Sequence, residues 1–360
     1  MTFPTPVRRI LIVRLGALGD IVHAVPVAAA LRRAWPQATI DWRVSAKHQE
    51  ILELVPVIDR RLVVNDRGRA GGGVSLFQAI RAARRAAYDV AIDLQGLIKS
   101  AAIARASGAL QVVGFAAKYL REPLARVFYT VSHDPGRGGI YAQDETRHVV
   151  QINLGILQAI GLSPGAAEFP IASVESTAAA RMADATGGRY ALLNTGAAWP
   201  NKRWPPDRLA ALARALHARH GLMSVVLWGP GERPLAERVV AEASGAAVPS
   251  PETTIADVVA LARGATVMVS GDTGPTHIGA AVGTPIVGLY GPTRPERNGP
   301  WLPEDETVSR ASVCECHHLR TCRRTLRPQG GRGAIPCLLD IQVEEVLAAV
   351  ERRIAAGRRG

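Results

Sequence analysis

An aspartate at the start of a predicted helix is the residue best placed to act as a base in this sequence. Asp20 ends a glycine-containing turn between an apolar run at residues 9–13 and a helical pattern at residues 21–33. A carboxylate at such a turn can take a proton from a hydroxyl group, or it can cap the helix, and both roles stay open. Backbone N–H groups near Gly16 and Gly19 suit an anionic group.

A second segment combines small residues with hydroxyl groups. Residues 270–277 read SGDTGPTH, follow an apolar run and open another helical pattern. A small residue such as Gly274 lets the backbone approach a ligand closely, and free N–H groups at a helix start can hold a diphosphate. The hydroxyl groups of Thr273 and Thr276 supply further donors. This segment therefore predicts a phosphate-binding loop.

Charged side chains accompany the second segment. Lys202 and Arg203 lie in the loop at residues 199–205, where either side chain can neutralise a leaving diphosphate; a solvated basic loop is the alternative. Asp272 would repel phosphate, so we expect it to fix the loop or to contact a sugar hydroxyl group. His277 either neutralises phosphate or packs in the core.

The elements that position these residues alternate regularly. Short apolar runs alternate with helical patterns in both halves of the chain, which predicts an α/β fold with two facing Rossmann-like domains and a central cleft. We expect an N-terminal domain at residues 1–172, a C-terminal domain at 173–340, and a terminal helix at 341–360 that packs back on the N-terminal domain or touches anionic lipid. Residues 75–87 are predicted to be helical and residues 114–139 irregular.

Composition agrees with a globular protein that has anionic partners. The chain has 360 residues, 48% of them hydrophobic, and a formal net charge of +12. The charge favours nucleic acid, acidic lipid or phosphorylated glycolipid, although an arginine-rich composition accounts for it equally well. The sequence contains no nucleic-acid-binding signature, secretory signal or membrane-spanning run, so we expect a cytoplasmic protein that touches a membrane surface.

All four cysteines fall within 24 residues near the end of the chain. They are Cys314, Cys316, Cys322 and Cys337. Reduced thiols, a structural metal site and disulfides are the three interpretations, and the expected cytoplasmic location argues against disulfides. The spacing does not match a standard zinc finger.

Five segments in order resemble one known family, that of the lipopolysaccharide heptosyltransferases (glycosyltransferase family 9). The similarity runs from about residue 10 to about residue 300 and is carried by VRLGALGDIVHAVP, DLQGLIKSA, REPLARVFY, NKRWPP and SGDTGPTHIGAAVGTPIVGLYGPTRPERNGP. The second and third segments are most similar to the type I branch, which adds the first heptose to the inner-core sugar Kdo.

The resemblance implies a GT-B fold and an inverting transfer of heptose from ADP-heptose, without a metal or other cofactor. Asp20 matches the family's catalytic base. Donor-binding positions are implied at Lys202, Asp272, Thr273, Gly274, Thr276, His277, Gly196 and Glu232. Acceptor-binding positions are implied at Gly16, Gly19, Lys99, Arg121 and Glu122. The implied acceptor is an anionic glycolipid at the cytoplasmic face of the inner membrane, with no role for nucleic acid.

Two departures from the family pattern leave alternatives open. Tyr141 stands where histidine is usual, and residues 196–198 lack the hydroxyl groups of type I members. Use of another nucleotide-sugar therefore remains open. So do a sugar-nucleotide epimerase, which needs acid and base groups on both faces of the sugar, and a non-catalytic nucleotide-sugar-binding protein.

Overall fold

The computed structural model describes residues 6–64, 87–142, 144–314, 316–317, 319–322 and 337–357. The chain divides into two compact units, residues 1–172 and residues 173–360. No helix in these described stretches is both long enough and apolar enough to cross a membrane.

The first unit is built on a sheet of six parallel strands in the order β3-β2-β1-β4-β5-β6. The strands are β1 (Arg9–Val13), β2 (Thr39–Ser45), β3 (Arg60–Val64), β4 (Val90–Asp93), β5 (Gln111–Phe115) and β6 (Val131–His133). The helices are α1 (Leu18–Val22), α2 (Val25–Ala34), α3 (Ile98–Ala106) and α4 (Val149–Gly155). Short 3-10 helices lie at Ala46–His48, Glu50–Leu54, Ala117–Tyr119, Pro123–Phe128 and Ile156–Ile160.

The second unit repeats this architecture with the strand order β12-β11-β10-β7-β8-β9. The strands are β7 (Tyr190–Asn194), β8 (Met223–Leu227), β9 (Ala247–Pro249), β10 (Val267–Gly271), β11 (Ile286–Tyr290) and β12 (Glu306–Ser309). The helices are α5 (Thr177–Thr186), α6 (Pro206–His220), α7 (Arg233–Glu242), α8 (Ile255–Gly264), α9 (Gly274–Ala281), α10 (Pro295–Asn298), α11 (Cys337–Asp340) and α12 (Val343–Gly357). Two more 3-10 helices lie at Pro200–Lys202 and Ala311–Val313.

The central strands are apolar because both faces of each sheet are covered. Four of the five residues of β1 and all five of β7 are buried, as expected for parallel strands between two helical layers. In each sheet the strand order reverses beside the first strand, between β1 and β4 and between β7 and β10. Loops that follow these strands meet at the carboxyl edge, where doubly wound sheets bind ligands.

The terminal helix α12 belongs to the core of the second unit. Its apolar face buries Val346, Leu347 and Val350 in the same cluster as residues of α6 and β10. Arg353 on this helix donates to Asp305 over 2.8 Å, and the Asp305 side chain is only 1% exposed. The apolar stripe thus completes the second sheet's helical layer. Packing of the helix on the N-terminal domain, or contact with anionic lipid, stays a prediction.

The sequence prediction differs from the structure in the middle of the first unit. The stretch expected to be irregular contains β6 and the end of β5, which pair in register from Val113–Val131 to Phe115–His133. The helix expected at residues 47–54 is two 3-10 helices. The helix expected at residues 75–87 lies almost entirely outside the described residues.

A buried ion pair stabilises the end of the first unit and should make its stability depend on pH. Glu145 accepts from Arg147 Nε over 2.8 Å and from Tyr119, and its side chain is fully buried. Burial acts to raise the pKa of Glu145, but the Arg147 and Tyr119 hydrogen bonds outweigh it and lower that pKa to about 2. The stabilisation is therefore complete above the ordinary pKa of 4.5 and is lost as the pH falls towards 2.

We expect Glu145→Gln to lower the free energy of unfolding by about 2–3 kcal/mol at pH 7. The difference from the unsubstituted protein should shrink steadily in urea unfolding experiments between pH 5 and about pH 3. Glu53→Gln is the matched control, since Glu53 pairs with Arg61 at the surface with half of its side chain exposed. That control should change the free energy by less than about 0.5 kcal/mol, and an equal loss in both variants would contradict the assignment.

Candidate functional site

The turn after β1 presents Asp20 beside two arginines. Asp20 lies in α1, and its Oδ2 atom is 2.6 Å from the Arg14 guanidinium and 3.3 Å from the Ala17 backbone nitrogen. The Asp20 side chain retains 29% of its exposure. Burial acts to raise its pKa, but the charges of Arg14 and Arg121 and the two hydrogen bonds outweigh it, so the pKa lies below its usual range. Asp20 is therefore an ionised and solvent-reachable carboxylate.

A cavity of about 670 Å³ opens beside this turn in the first unit. Gly16 and Lys99 line it, together with Lys47 and His48 from the loop after β2 and Gln95 from the loop after β4. A Cβ atom at Gly16 would lie 2.6 Å from the His48 ring, so a larger residue at this position would displace that ring. A cavity with two lysines and a histidine in its wall suits an anionic ligand.

The other predicted acceptor residues have varied surroundings. Glu122 accepts from the Ile98 backbone N–H over 2.6 Å and so caps the start of α3. Arg121 is exposed and near enough to Asp20 to lower its pKa. Gly19 is buried within α1. The structure thus groups Gly16, Asp20 and Arg121 near one turn and gives Glu122 a clear structural contact.

In the second unit, one amide connects two loops at the carboxyl edge of the sheet. The Asn194 side-chain amide, at the end of β7, donates to Ser270 Oγ and Thr273 Oγ1 over 3.0 Å each and to the Gly196 carbonyl over 3.2 Å. Thr276 Oγ1 lies 2.6 Å from Ser270 Oγ and 3.0 Å from Thr273 Oγ1. This network holds the loop after β7 against the start of α9.

Asp272 organises the charges of this loop. Its carboxylate is 2.6 Å from Lys202 Nζ and 3.0 Å from His277 Nε2, and its side chain is 7% exposed. Burial acts to raise the pKa of Asp272, but the His277 hydrogen bond and the Lys202 charge hold it well below its ordinary range. The Lys202 ammonium also lies 4.5 Å from the centre of the Trp199 ring. Asp272 therefore holds Lys202 and His277 in place.

Close packing around Glu232 accounts for Gly196. A Cβ atom at Gly196 would lie 1.7 Å from Glu232 Oε2, so this position accepts only glycine while Glu232 keeps its place. Glu232 accepts from the Gly229 backbone N–H over 3.0 Å and from Arg203 over 3.4 Å. Arg203 also donates to the Ala197 carbonyl over 2.9 Å. Arg203 is thus held by the loop through Glu232 and the Ala197 carbonyl.

The arrangement in the second unit suits a phosphorylated ligand. Helix α9 begins at Gly274, and the first N–H groups of a helix have no intrahelical acceptor. These N–H groups form the positive end of the helix. They point into the region that Lys202 and the Thr273 hydroxyl group also border. Fixed dipoles and one cation at a shielded loop can stabilise the negative charge of a leaving group.

Sequence reasoning missed several contributors because their roles depend on distant partners. Arg14, Asn194, Lys47, His48 and Trp199 were not singled out. Their position directly after strands at the carboxyl edge was the available signal for Arg14, Asn194, Lys47 and His48. The two units supply two separate sets of groups: an ionised carboxylate with a basic cavity, and a loop at the start of a helix with a positioned lysine. Such sets on two Rossmann-like units are typical of glycosyltransferases that use nucleotide-sugars.

Comparison with known proteins agrees with this class. Residues 75–326 match the family model described as glycosyltransferase family 9 (heptosyltransferase). The chain is 31% identical over 312 residues to lipopolysaccharide heptosyltransferase 1 of Pseudomonas aeruginosa, covering 81% of each chain. It is 30% identical over 300 residues to the protein of the same name from Escherichia coli K12, covering 80% of this chain and 89% of that one.

Solved structures show the same fold. The glycosyl transferase family 9 protein of Veillonella parvula superposes with a TM-score of 0.75 at 23% identity, covering 99% of both chains. The E. coli heptosyltransferase WaaC with ADP superposes with a TM-score of 0.74 at 24% identity, covering 96% of this chain and 99% of that one. The fold is GT-B. The chain belongs to glycosyltransferase family 9, the heptosyltransferase family, and is a glycosyltransferase.

Proposed function

We propose that this enzyme transfers heptose from ADP-heptose to the Kdo-bearing inner core of lipopolysaccharide, with inversion at the anomeric carbon and without a metal. The relatives named lipopolysaccharide heptosyltransferase 1 support the substrate class, and the similar structure with ADP supports the nucleotide. The observation that carries the proposal is that one unit contains an ionised Asp20 and the other contains a helix-start loop with Lys202.

Asp20 serves as the general base in this proposal. The acceptor hydroxyl oxygen attacks the anomeric carbon, the bond from that carbon to the ADP oxygen breaks, and the hydroxyl proton passes to the Asp20 carboxylate. A single carboxylate on the attacking face gives inversion, because no covalent sugar–enzyme intermediate forms. The Arg14 ion pair makes Asp20 a weak base, so it accepts the proton late, when bond formation has made the hydroxyl acidic.

The leaving ADP is stabilised by groups of the second unit. Lys202 supplies the cation, and the start of α9 with Thr273 supplies hydrogen-bond donors. These groups are already fixed in place, so they need no reorganisation when negative charge develops on the diphosphate. In this proposal they take the role that a divalent cation has in other transferases. Gly196 and Glu232 border the same loop and complete the proposed donor site.

The basic cavity of the first unit is the proposed acceptor site. Lys47, Lys99 and His48 face a volume large enough for a sugar acid. A carboxylate or phosphate of an anionic glycolipid matches their charge. The net charge of +12 suits an anionic membrane surface, and we place the enzyme at the cytoplasmic face of the inner membrane in this proposal.

Calorimetric titration tests the donor assignment directly. ADP-heptose, ADP-glucose, UDP-glucose and GDP-glucose are each titrated into the protein with and without EDTA. We expect tight binding of ADP-heptose that EDTA does not change. Preference for UDP- or GDP-glucose would move the chain to another donor, and loss of binding in EDTA would contradict the metal-independent mechanism.

Removing the cavity lysines should weaken acceptor binding selectively. We expect Lys47→Met together with Lys99→Met to raise the acceptor KM about 10²-fold, because each variant loses one charge-assisted contact. The affinity for ADP should stay unchanged. Lys118→Met is the matched control, since Lys118 is an exposed lysine that pairs with Asp134 over 3.1 Å. An unchanged acceptor KM in the double variant would reject this cavity as the acceptor site.

A further inference from the structure

The four cysteines form a buried cluster in the second unit. Their exposed fractions are between 1% and 8%, and all four are in the reduced state. Cys316 and Cys322 have their sulfur atoms 3.7 Å apart, and those of Cys314 and Cys337 are 3.9 Å apart. The cluster thus consists of two thiol pairs in van der Waals contact.

The composition of the cluster is unusual for a packing core. Among the described residues its buried members are the four cysteines alone, without an aliphatic or aromatic side chain. Four small side chains bury little apolar area, so they contribute little to holding an irregular segment in place. Between the 3-10 helix at Ala311–Val313 and α11, the described residues form no helix or strand. A segment of this kind usually needs a cross-link of another type.

The sulfur separations match those of a tetrahedral metal site. With metal–sulfur bonds of about 2.3 Å, the edge of a tetrahedron of thiolates is about 3.8 Å. Both measured pairs lie within 0.1 Å of that edge, at 3.7 and 3.9 Å. In the described residues no group of three or more ligand side chains is already arranged to hold a metal ion, so binding would require the two thiol pairs to move together around one centre.

The cysteine segment supports the loop that carries Lys202. The Leu319 carbonyl accepts from the Asn201 amide over 2.8 Å. Arg320 lies 5.9 Å from the centre of the Trp199 ring, which Lys202 also contacts. At the other side of the cluster, a Cβ atom on Gly291 would lie 2.5 Å from Cys337 Sγ. The cluster is therefore packed between the loop after β7 and the loop after β11.

We propose that Cys314, Cys316, Cys322 and Cys337 bind one tetrahedral metal ion, with zinc as the expected occupant, and that this ion holds the segment against the Lys202 loop. Four thiols lose their protons to solvent when the divalent ion binds, and no electron is transferred. Four thiolates around a tetrahedral ion are typical of structural zinc, with iron as the other common occupant. The ion takes no part in sugar transfer.

Metal analysis of the full chain tests this site. The protein is purified without a metal-affinity tag, dialysed, and measured by inductively coupled plasma mass spectrometry. We expect about one zinc or iron per chain. The double variant Cys316→Ser/Cys322→Ser should lose the metal and melt at least about 5 °C lower. His220→Ala is the control, because His220 is a partly exposed histidine paired with Glu351, and it should keep the metal.

Thiol titration on the unsubstituted protein keeps the test decisive if the double variant does not fold. With metal bound, the native thiols should react only slowly with a disulfide reagent, and a mercurial that binds the four thiolates should release the ion to a chromogenic chelator. Absence of metal together with four rapidly reacting thiols would overturn the proposal. So would an intact mass lower by four hydrogen atoms, which indicates two disulfides.

The effect on ADP binding is a separate readout that rests on the proposed function. Metal removal should weaken ADP binding about tenfold if the segment supports Lys202 as proposed. If metal is bound but its removal does not change the ADP affinity, the proposed support of Lys202 is wrong, whereas the metal site itself is still supported. Metal content therefore tests the metal site, ADP affinity tests the proposed support of Lys202, and either claim can be rejected without the other.

Discussion

Replacing Asp20 by asparagine is expected to lower kcat of heptose transfer about 10³-fold, because the acceptor hydroxyl loses its proton acceptor. Asparagine keeps the shape of the side chain but removes the charge that pairs with Arg14 at 2.6 Å. The dissociation constant for ADP should change little, since the proposed donor site lies in the second unit. Initial rates and ADP titrations on the same preparation separate the two effects.

Asp184→Asn is the matched control for this variant. Asp184 is an exposed aspartate in α5, so its replacement should leave kcat unchanged. A kcat for Asp20→Asn within about threefold of the unsubstituted enzyme would contradict the base assignment. A large loss of ADP affinity would instead indicate that the substitution disturbs the whole protein.

The lowered pKa of Asp20 also determines the pH below which the reaction rate should begin to fall. Because the pKa lies below its ordinary value of 3.8, the carboxylate stays ionised as the pH falls from 8 to 5. The logarithm of kcat/KM should therefore show no fall from Asp20 protonation in that range. An acid limb near pH 6 that disappears in Asp20→Asn would contradict this.

The second large effect is expected for Lys202→Met. We expect kcat/KM for the donor to fall about 10²-fold, because the leaving diphosphate loses its cation. Lys202 also neutralises Asp272, whose side chain is only 7% exposed. A buried carboxylate that loses one of its partners lowers the free energy of unfolding. The variant should therefore also melt at a lower temperature.

A double variant separates the loss of stability from the loss of function. Lys202→Met with Asp272→Asn removes the buried charge and the lysine together, so the melting temperature should recover while donor kinetics stay impaired. Recovery of both would mean that Lys202 acts only by supporting the fold. Lys118→Met again serves as the lysine control outside the proposed donor site.

Local signals predicted the parts of the fold that depend on neighbouring residues. The apolar β1, the glycine turn and the following helices were visible because residues 9–33 carry the whole pattern in one stretch. The strands β5 and β6 were missed, and β6 is only three residues long with none of them fully buried. Strand β6 depends on pairing with β5 rather than on an apolar run of its own.

Residue types in the sequence indicated candidates for the site, but the contacts between these residues could not be predicted from it. Lys202 and Asp272 are 70 positions apart, and only the fold shows that they form an ion pair. Resemblance to the family placed Glu122 with the acceptor residues, whereas the structure shows its carboxylate capping α3. No local pattern could indicate that cap, because Ile98 lies 24 positions earlier on another element.

The stereochemistry of the product in the presence of a chelator tests the central claim most directly. Purified enzyme is incubated with ADP-heptose and a Kdo-bearing lipid acceptor in excess EDTA, and the anomeric configuration of the transferred sugar is read by NMR. The proposed mechanism predicts full transfer with the configuration opposite to that of the donor. Retention of configuration, or transfer that stops in EDTA and returns with a divalent cation, would contradict it.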